Sequence, residues 1–498
     1  MLLKPKRLTT KHPASKMFLS PMRALLAPWH SRLHMSFNRS KPRILAFSVT
    51  IALLLVGSHA KAQVGEREQL LNGLRVILLP RPGTPDVLIK LRIHSGAAFD
   101  LAGKSGQMAL LGDILFPDKA TVEYFTEEMD GRLDVVVNYD SLTITMEGKA
   151  GELERILDVL RSALVSTQLT PEVVTRIRDS RVKIIKDTAI STAVVADRAV
   201  AARLFGDFPY GRPVAGSAED VARIERADLM LARDRFLNSN NATLTLVGGV
   251  TRPRALRALR QLLGPWRKSE QLVPSTFRQP TAPDSKALII SGTGDAAEVR
   301  LAVRGVARSD PDYYAANVLA KLAQHRWEAL MPELAKRPTF ARSESHFLPG
   351  MFTMGTSVSP QAVPDALASA KKTMEGLAAT PVTPAEMDRA RSEVLTELNS
   401  LLSKPDAPSE VLLDQDTYRL SESLPSPISV VNSLTPNDLQ RIAARLFNGP
   451  AATVVLGETQ QLKTAMQARV PFEVLGEVAP PAKLPATAPK TAPKPTPN

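Results

Sequence analysis

Residues 106–116 read Gly-Gln-Met-Ala-Leu-Leu-Gly-Asp-Ile-Leu-Phe, a helical stretch whose place in the chain decides the fold. Ahead of it, residues 74–80 and 87–96 carry strand-like, period-2 patterns. Behind it come a second strand-like pair at 134–138 and 141–148, then an amphipathic helix near 152–166. A long helical region opens at Thr170-Pro171-Glu172, where threonine caps and proline takes the first helical position. A shorter helix at 227–237, a strand at 242–249 and a helix at 253–266 complete the unit.

The same order recurs downstream. Residues 286–292 and 298–305 read as strands, 313–331 as helix, 340–346 and 351–358 as strands, and 362–379 as helix. Thr383-Pro384-Ala385-Glu386 then opens a long helix in the place held earlier by Thr170-Pro171. A helix at 435–447, a strand at 452–458 and a final helix at 459–466 follow. Matched order over so many elements is an internal repeat, which predicts two α+β halves. Their boundaries are 63–266 and 286–472, joined by a Pro-containing linker at 267–285.

The formal charge of +13 suggests a nucleic-acid or membrane partner until its distribution is considered. Residues 1–62 hold eleven Lys/Arg and no Asp/Glu, leaving +2 for the remainder. Lys483, Lys490 and Lys494 lie in a Pro/Ala/Thr tail, so the body is close to neutral and nucleic-acid binding is not expected. Within the leader, the thirteen-residue apolar run 44–56 follows Arg39, Lys41 and Arg43 and precedes Ala60-Lys61-Ala62. That order predicts a signal peptide over 1–62, cleaved before Gln63, and hence a periplasmic or secreted bacterial protein. The run is short of the ~20 residues of a bilayer span. The alternatives are a mitochondrial transit peptide and an uncleaved inner-membrane signal anchor. A start at Met35 gives a leader of ordinary length and makes 1–34 an upstream-start artefact. The end of the chain, 473–498, is dominated from Val478 onward by Pro, Ala, Lys and Thr, the composition of a flexible tail.

With no cysteine, the chain has no disulfide, thiolate chemistry or iron–sulfur cluster. Only His94, His325 and His346 follow the leader, and no two are spaced as a metal pair. Nucleophile-elbow, phosphate-loop and dinucleotide motifs are absent from the sequence; Ser291-Gly292-Thr293-Gly294-Asp295 reads as a hairpin turn.

Four further stretches keep their order and spacing: Leu71-Asn72-Gly73-Leu74-Arg75-Val76, Phe208-Pro209-Tyr210-Gly211-Arg212-Pro213, Asn241-Ala242-Thr243-Leu244-Thr245-Leu246-Val247-Gly248 and Asp310-Pro311-Asp312-Tyr313-Tyr314. With the helix at 106–116, they make the chain beyond the leader resemble the insulinase, or mitochondrial processing peptidase-like, family of pitrilysin-type zinc peptidases. The resemblance implies two metallopeptidase-like α/β sandwich halves, each a mixed sheet backed by helices, often paired into a clam-shell around a peptide chamber. It also implies that the helix at 106–116 should carry His-x-x-Glu-His, with two zinc-binding histidines and a water-activating glutamate. Those positions are Ala109, Gly112 and Asp113.

The family's third zinc ligand, a glutamate, falls nearest Asp187, 74 positions after Asp113 and just beyond the charged run 181–186. If Asp113 and Asp187 faced each other they would suit a hard, oxygen-bound cation better than zinc. Two solvated helix carboxylates are the preferred reading, and no cofactor is assigned. His94 reads as a packed or surface residue, with a replacement zinc ligand as the alternative. Glu127 and Glu128 read as an exposed helix end. In the second half the family's Arg and Tyr, which hold the scissile carbonyl, fall near Met331 and Phe340, with Arg337 or Arg342 as substitutes. The expectation is an exported, non-catalytic homologue acting as partner or scaffold of an active peptidase, or as a homodimer. The alternatives are a non-cleaving peptide-binding module and a metalloendopeptidase with a relocated site.

Overall fold

The computed structural model describes residues 65–167, 169–188, 191–271, 277–421 and 425–476. The leader, its cleavage point and the chain from 477 onward lie outside the described residues. The first sheet holds β1 (Glu66–Gln69), β2 (Arg75–Pro80), β3 (Asp86–Ile93), β4 (Arg132–Val137), β5 (Leu142–Lys149) and β6 (Ala242–Gly248). Its spatial order is β1-β2-β6-β3-β5-β4. The second holds β7 (Ala287–Ser291), β8 (Ala297–Arg304), β9 (Phe340–Glu344), β10 (Met351–Val358), β11 (Ala452–Gly457) and β12 (Phe472–Val474). Its order, β12-β7-β11-β8-β10-β9, repeats the first.

In each half a late strand inserts between the first two long strands. β6 runs parallel to β2 and antiparallel to β3, and β11 does the same between β7 and β8. Both sheets are therefore mixed, as expected. The sixth strand breaks the repeat: β1 precedes β2 and runs antiparallel to it, whereas β12 comes from the end of the chain and runs parallel to β7. The second sheet thus reaches Val474, past the expected boundary at 472.

The first-half helices are α1 (Gln107–Ile114), α2 (Lys119–Glu123), α3 (Leu153–Val165), α4 (Pro171–Thr188), α5 (Thr192–Phe205), α6 (Ala218–Ala222), α7 (Arg226–Phe236) and α8 (Arg252–Leu263). Those of the second half are α9 (Tyr313–Leu330), α10 (Val363–Ala379), α11 (Pro384–Leu402), α12 (Ala407–Tyr418), α13 (Pro427–Ser433), α14 (Pro436–Phe447) and α15 (Thr459–Met466). Local chemistry sets their ends. Thr383 and Glu386 form a capping box at α11, and Thr435 and Asp438 form another at α14, each followed by proline at the first helical position. Helical spacing sets the buried faces. Leu153, Ile156, Leu157, Leu160 and Leu164 of α3 are all buried, each worth about 1.5–3 kcal/mol relative to exposure. Leu439, Ile442, Ala443 and Leu446 play the same part in α14.

The opposite face of each sheet is covered by a helix from the other half. Val200, Ala201, Leu204 and Phe205 of α5 share a core with Ala302, Ala452 and Val454 of the second sheet. In return, Leu412 of α12 packs against Ile77, Leu79, Leu88 and Val247 of the first.

This exchange is charged as well as apolar. Lys90 and Arg92 stand on β3, near the middle of the first sheet, and are only 4% and 6% exposed. Asp406 at the N-cap of α12, with Glu410 and Asp414, forms an i, i+4, i+8 acidic stripe above them. Lys90 donates to Asp406 at 2.6 Å and to Glu410; Arg92 donates to Asp414 at 2.7 Å and to Glu410. On the second sheet the buried Arg300 is met by Asp197 of α5 and by Glu298, and Asp197 also reaches Arg342 at 3.2 Å.

Glu410 is the one acid shared by both first-sheet cations. Its carboxylate is partly solvated and each cation keeps another partner, so Glu410→Ala should cost about 2 kcal/mol, below the 3–5 typical of a fully broken buried pair. Lys321→Ala, which opens the solvated pair with Glu397, should cost under about 1 kcal/mol. Urea unfolding of the two variants checks both values; equal losses would remove the ladder's special weight.

Candidate functional site

Helix α1 begins at a turn that constrains its residue types. Gly106 has φ +91°, and a Cβ there would lie 2.7 Å from the carbonyl oxygen of Ala215. The carboxylate of Asp100 accepts the N–H groups of Gly106 at 2.7 Å and Met108 at 2.8 Å, satisfying donors at the free helix end. Burial pushes the Asp100 carboxyl up to about 7, against the pull of those N–H groups.

The motif positions lie along this helix. Ala109 is buried and offers only its carbonyl. A Cβ on Gly112 would meet Val137 at 3.2 Å, Val135 at 3.4 Å and Leu142 at 3.6 Å, so the general-base position faces an apolar wall. Asp113 is held in a two-point ion pair by Arg181 of α4: Nε to Oδ2 at 2.6 Å and Nη2 to Oδ1 at 2.7 Å. The same Nη2 donates to the carbonyl of Ala109 at 3.2 Å.

The structure does not bring Asp113 and Asp187 together, contrary to the expectation that they could face each other. The α4 residue opposite Asp113 is Arg181. Asp187 is exposed, six residues further along and roughly 240° around the helix. No group of three His, Cys, Asp or Glu side chains able to hold a metal occurs among the described residues. The motif positions themselves do not fit zinc, because two have no side-chain donor and the third is matched by a guanidinium. Glu127 and Glu128 lie in an exposed helical turn at Tyr124–Glu128, as expected.

His94 follows β3 and has both ring nitrogens occupied, Nδ1 by the Thr417 hydroxyl at 3.1 Å and Nε2 by the Thr243 hydroxyl at 3.0 Å. Burial, aided by Arg75, drives its pKa down to about 3, so the imidazole is neutral at pH 7. It is a packed residue bridging the first sheet to α12. In the second half, Arg342 is committed to Asp197 and Glu344, and Phe340 lies against the guanidinium of Arg300. Met331 packs on the second core, where Ser369 reaches its sulfur, and Arg337 is exposed beyond the turn Pro332–Lys336.

One cluster between the halves escaped the sequence reading. Asp140 accepts the Tyr210 hydroxyl at 3.2 Å and the Phe347 N–H at 3.1 Å, and Tyr210 accepts the N–H of Leu348 at 3.1 Å. His346 lies between the rings of Tyr139 and Tyr210, at 4.9 and 4.6 Å, with Nδ1 3.7 Å from Asp140. Burial raises Asp140 to about 6 and lowers His346 to about 4. The sequence signals were Tyr210, inside the Phe208–Pro213 segment, and His346, one of the three histidines beyond the leader, which sequence spacing did not connect.

Two six-stranded mixed sheets with exchanged helices, and a peptidase-type motif helix without its ligands, define the class as a two-half peptidase fold. Residues 223–394 match the model of the peptidase M16 inactive domain family. An Arabidopsis thaliana protein described as "Probable mitochondrial-processing peptidase subunit beta, mitochondrial" is 22% identical over 324 residues, 61% of this chain and 60% of that protein. The mitochondrial-processing peptidase subunit beta of Lentinula edodes is 20% identical over 425 residues, 80% of this chain and 91% of that one. Subunit 1 of the human cytochrome b-c1 complex is 23% identical over 264 residues, covering 51% of this chain and 54% of that protein. The match thus spans well under two thirds of the Arabidopsis and human relatives. Among solved structures, a peptidase M16 inactive domain from Pseudomonas fluorescens superposes with TM-score 0.70 at 18% identity, covering 82% of this chain and all of that one. A Helicobacter pylori protease gives 0.70 at 17% identity, covering 79% and 99%. These similarities agree with the resemblance to the insulinase, or mitochondrial processing peptidase-like, family.

Two measurements probe this region. Because His346 is lowered from 6.5, the unfolded chain takes up the proton first as pH falls. The His346 contribution to stability should therefore fall between about pH 6.5 and 4, against the opposite slope from Asp140 and Asp100, whose raised carboxyls gain protons first in the folded state. His346→Phe keeps a ring between the tyrosines and should flatten that slope by up to about 1.4 kcal/mol per pH unit. Restoring the motif with Ala109→His, Gly112→Glu and Asp113→His should yield no stoichiometric zinc while Arg181 remains; metal analysis showing one zinc per chain would contradict the packing argument.

Proposed function

We propose that the chain is an exported, non-catalytic member of its family, acting as a partner or scaffold subunit for an active, zinc-bearing homologue. The observation that carries this reading is the Asp113–Arg181 ion pair, closed over the Ala109 carbonyl where a metal would need ligands. Support for a subunit role comes from the relatives, three of which are named as subunits of larger assemblies. No zinc is assigned as cofactor. Export rests on the leader composition, with a periplasmic or secreted location and a signal anchor as its alternative.

A second reading, a peptide-binding module that does not cut, is favoured by β4. This strand is an edge of the first sheet beside α1, and Arg132, Asp134 and Val136 alternate outward along it. An edge strand offers unpaired backbone groups to an extended peptide.

The test is elemental analysis of the purified chain, cleavage of a mixed peptide library, and co-purification with a homologue that retains His-x-x-Glu-His. The expected result is no stoichiometric zinc, no cleavage and a stable complex. One zinc per chain with chelator-sensitive cleavage would overturn the proposal. A self-contained dimer that binds peptide and ignores the homologue would favour the second reading.

A further inference from the structure

Away from α1, where α12 meets the end of the first sheet, the two halves enclose a cleft of about 160 Å³. Its buried lining includes Asp140, Tyr210 and Thr417, and its more open lining includes Arg75 and Arg419. Aromatic walls come from Phe99, Phe277 and Phe347. At about 30 Å³ per water, the space suits one side chain or about five waters.

Most polar groups here are already committed. His94 is neutral, with both nitrogens bound, and Asp140 is held by Tyr210 and Phe347. The charge of Asp416 is matched by Arg67 at 3.0 Å and Arg75 at 3.1 Å, and its other contact is the Thr243 hydroxyl at 2.7 Å. The hydrogen-bonding capacity left over is that of two guanidinium groups, one of them already ion-paired through Nε. Arg75 spends only Nε, on Thr243 and Asp416, so its terminal nitrogens have no partner among the described residues. The Arg419 guanidinium makes no hydrogen bond or ion pair among the described residues and lies 5.4 Å from the Phe347 ring centroid, while the backbone N–H of Arg419 donates to the Gln415 carbonyl. It stands at φ +54°, where glycine is the ordinary C-terminal cap, and strain of that kind in a non-glycine residue concentrates at binding sites.

We propose that this cleft binds a small organic carboxylate bearing an apolar group, with Arg75 and Arg419 on the carboxylate and Phe277 and Phe347 on the apolar group. Two planar guanidinium forks match a carboxylate's two oxygens, whereas a neutral amide would leave at least one fork unpaired. The terminal residue of a peptide and a free hydrophobic amino acid share this chemistry. The assignment is independent of the partner role proposed above.

Calorimetric titration of the purified chain with N-acetyl-phenylalanine, its primary amide and free phenylalanine tests it. The acid should saturate the site below roughly 10 mM and bind at least tenfold tighter than the amide. Arg419→Gln should weaken the acid at least tenfold without changing the melting temperature, since Arg419 carries no ion pair. Phe347→Ala, chosen as a second variant because it spares the charges, should also weaken it. Preference for the acetylated acid assigns the ligand to a peptide end, and preference for free phenylalanine to a free amino acid. Equal binding of acid and amide, no saturation, or indifference to Arg419→Gln would overturn the proposal.

Discussion

Burial of Lys90 and Arg92 in the centre of a sheet is the constraint on which the rest of the molecule depends. β3 has neighbours on both sides, so neither cation can reach water by fraying. A positive pair in that position is tolerable only with anions brought to it, because desolvated, unpaired charge is among the costliest features a fold can contain. The anions come from more than three hundred residues away, on α12, which also seals Ile77, Leu79, Leu88 and Val247. Arg300 and Asp197 repeat the device in the other direction. The two halves are thus each incomplete, and their mutual completion positions the cleft and the Asp140 cluster.

At α1 the positions of a peptidase-type motif are held by Ala109, Gly112 and Asp113, which do not make a zinc-binding set. Electrostatics at that spot still calls for a cation beside Asp113, and Arg181 supplies one that is tethered to the chain. Planarity suits it to this role, since one guanidinium spans both carboxylate oxygens and the Ala109 carbonyl. Gly112, at the glutamate position, faces Val135 and Val137, against which a Cβ would fit tightly.

Much of this was legible in the sequence, because ten of the strands and the long helices carry clear period-2 or helical patterning. Thr383-Pro384 and Thr435-Pro436 mark helix starts through local chemistry that needs no tertiary context. The unreadable parts were those whose partner is distant. α12 hides because one face is acidic rather than apolar, so no hydrophobic period announces it. Four-residue β1 and three-residue β12 are too short to show alternation, and as the one departure from the repeat they have no counterpart to point to them. Arg181 was visible only as part of a charged run, and Asp187 drew attention through linear spacing that ignores helix rotation. His94 could be read as packed, but the two threonines that hold it come from strands and helices far away in sequence.

The helix exchange also orders events during synthesis. Lys90 and Arg92 are translated 316–322 residues before Asp406 and Asp414, their partners on α12. The first sheet is complete only when β6 ends at Gly248, so at about 5–20 residues per second it waits roughly 8–34 s for its covering helix. Throughout that interval its outer face is a basic, half-apolar surface with no native lid. Closure of α12 over the first sheet joins segments more than three hundred residues apart, the kind of long-range contact whose loop-closure entropy slows folding.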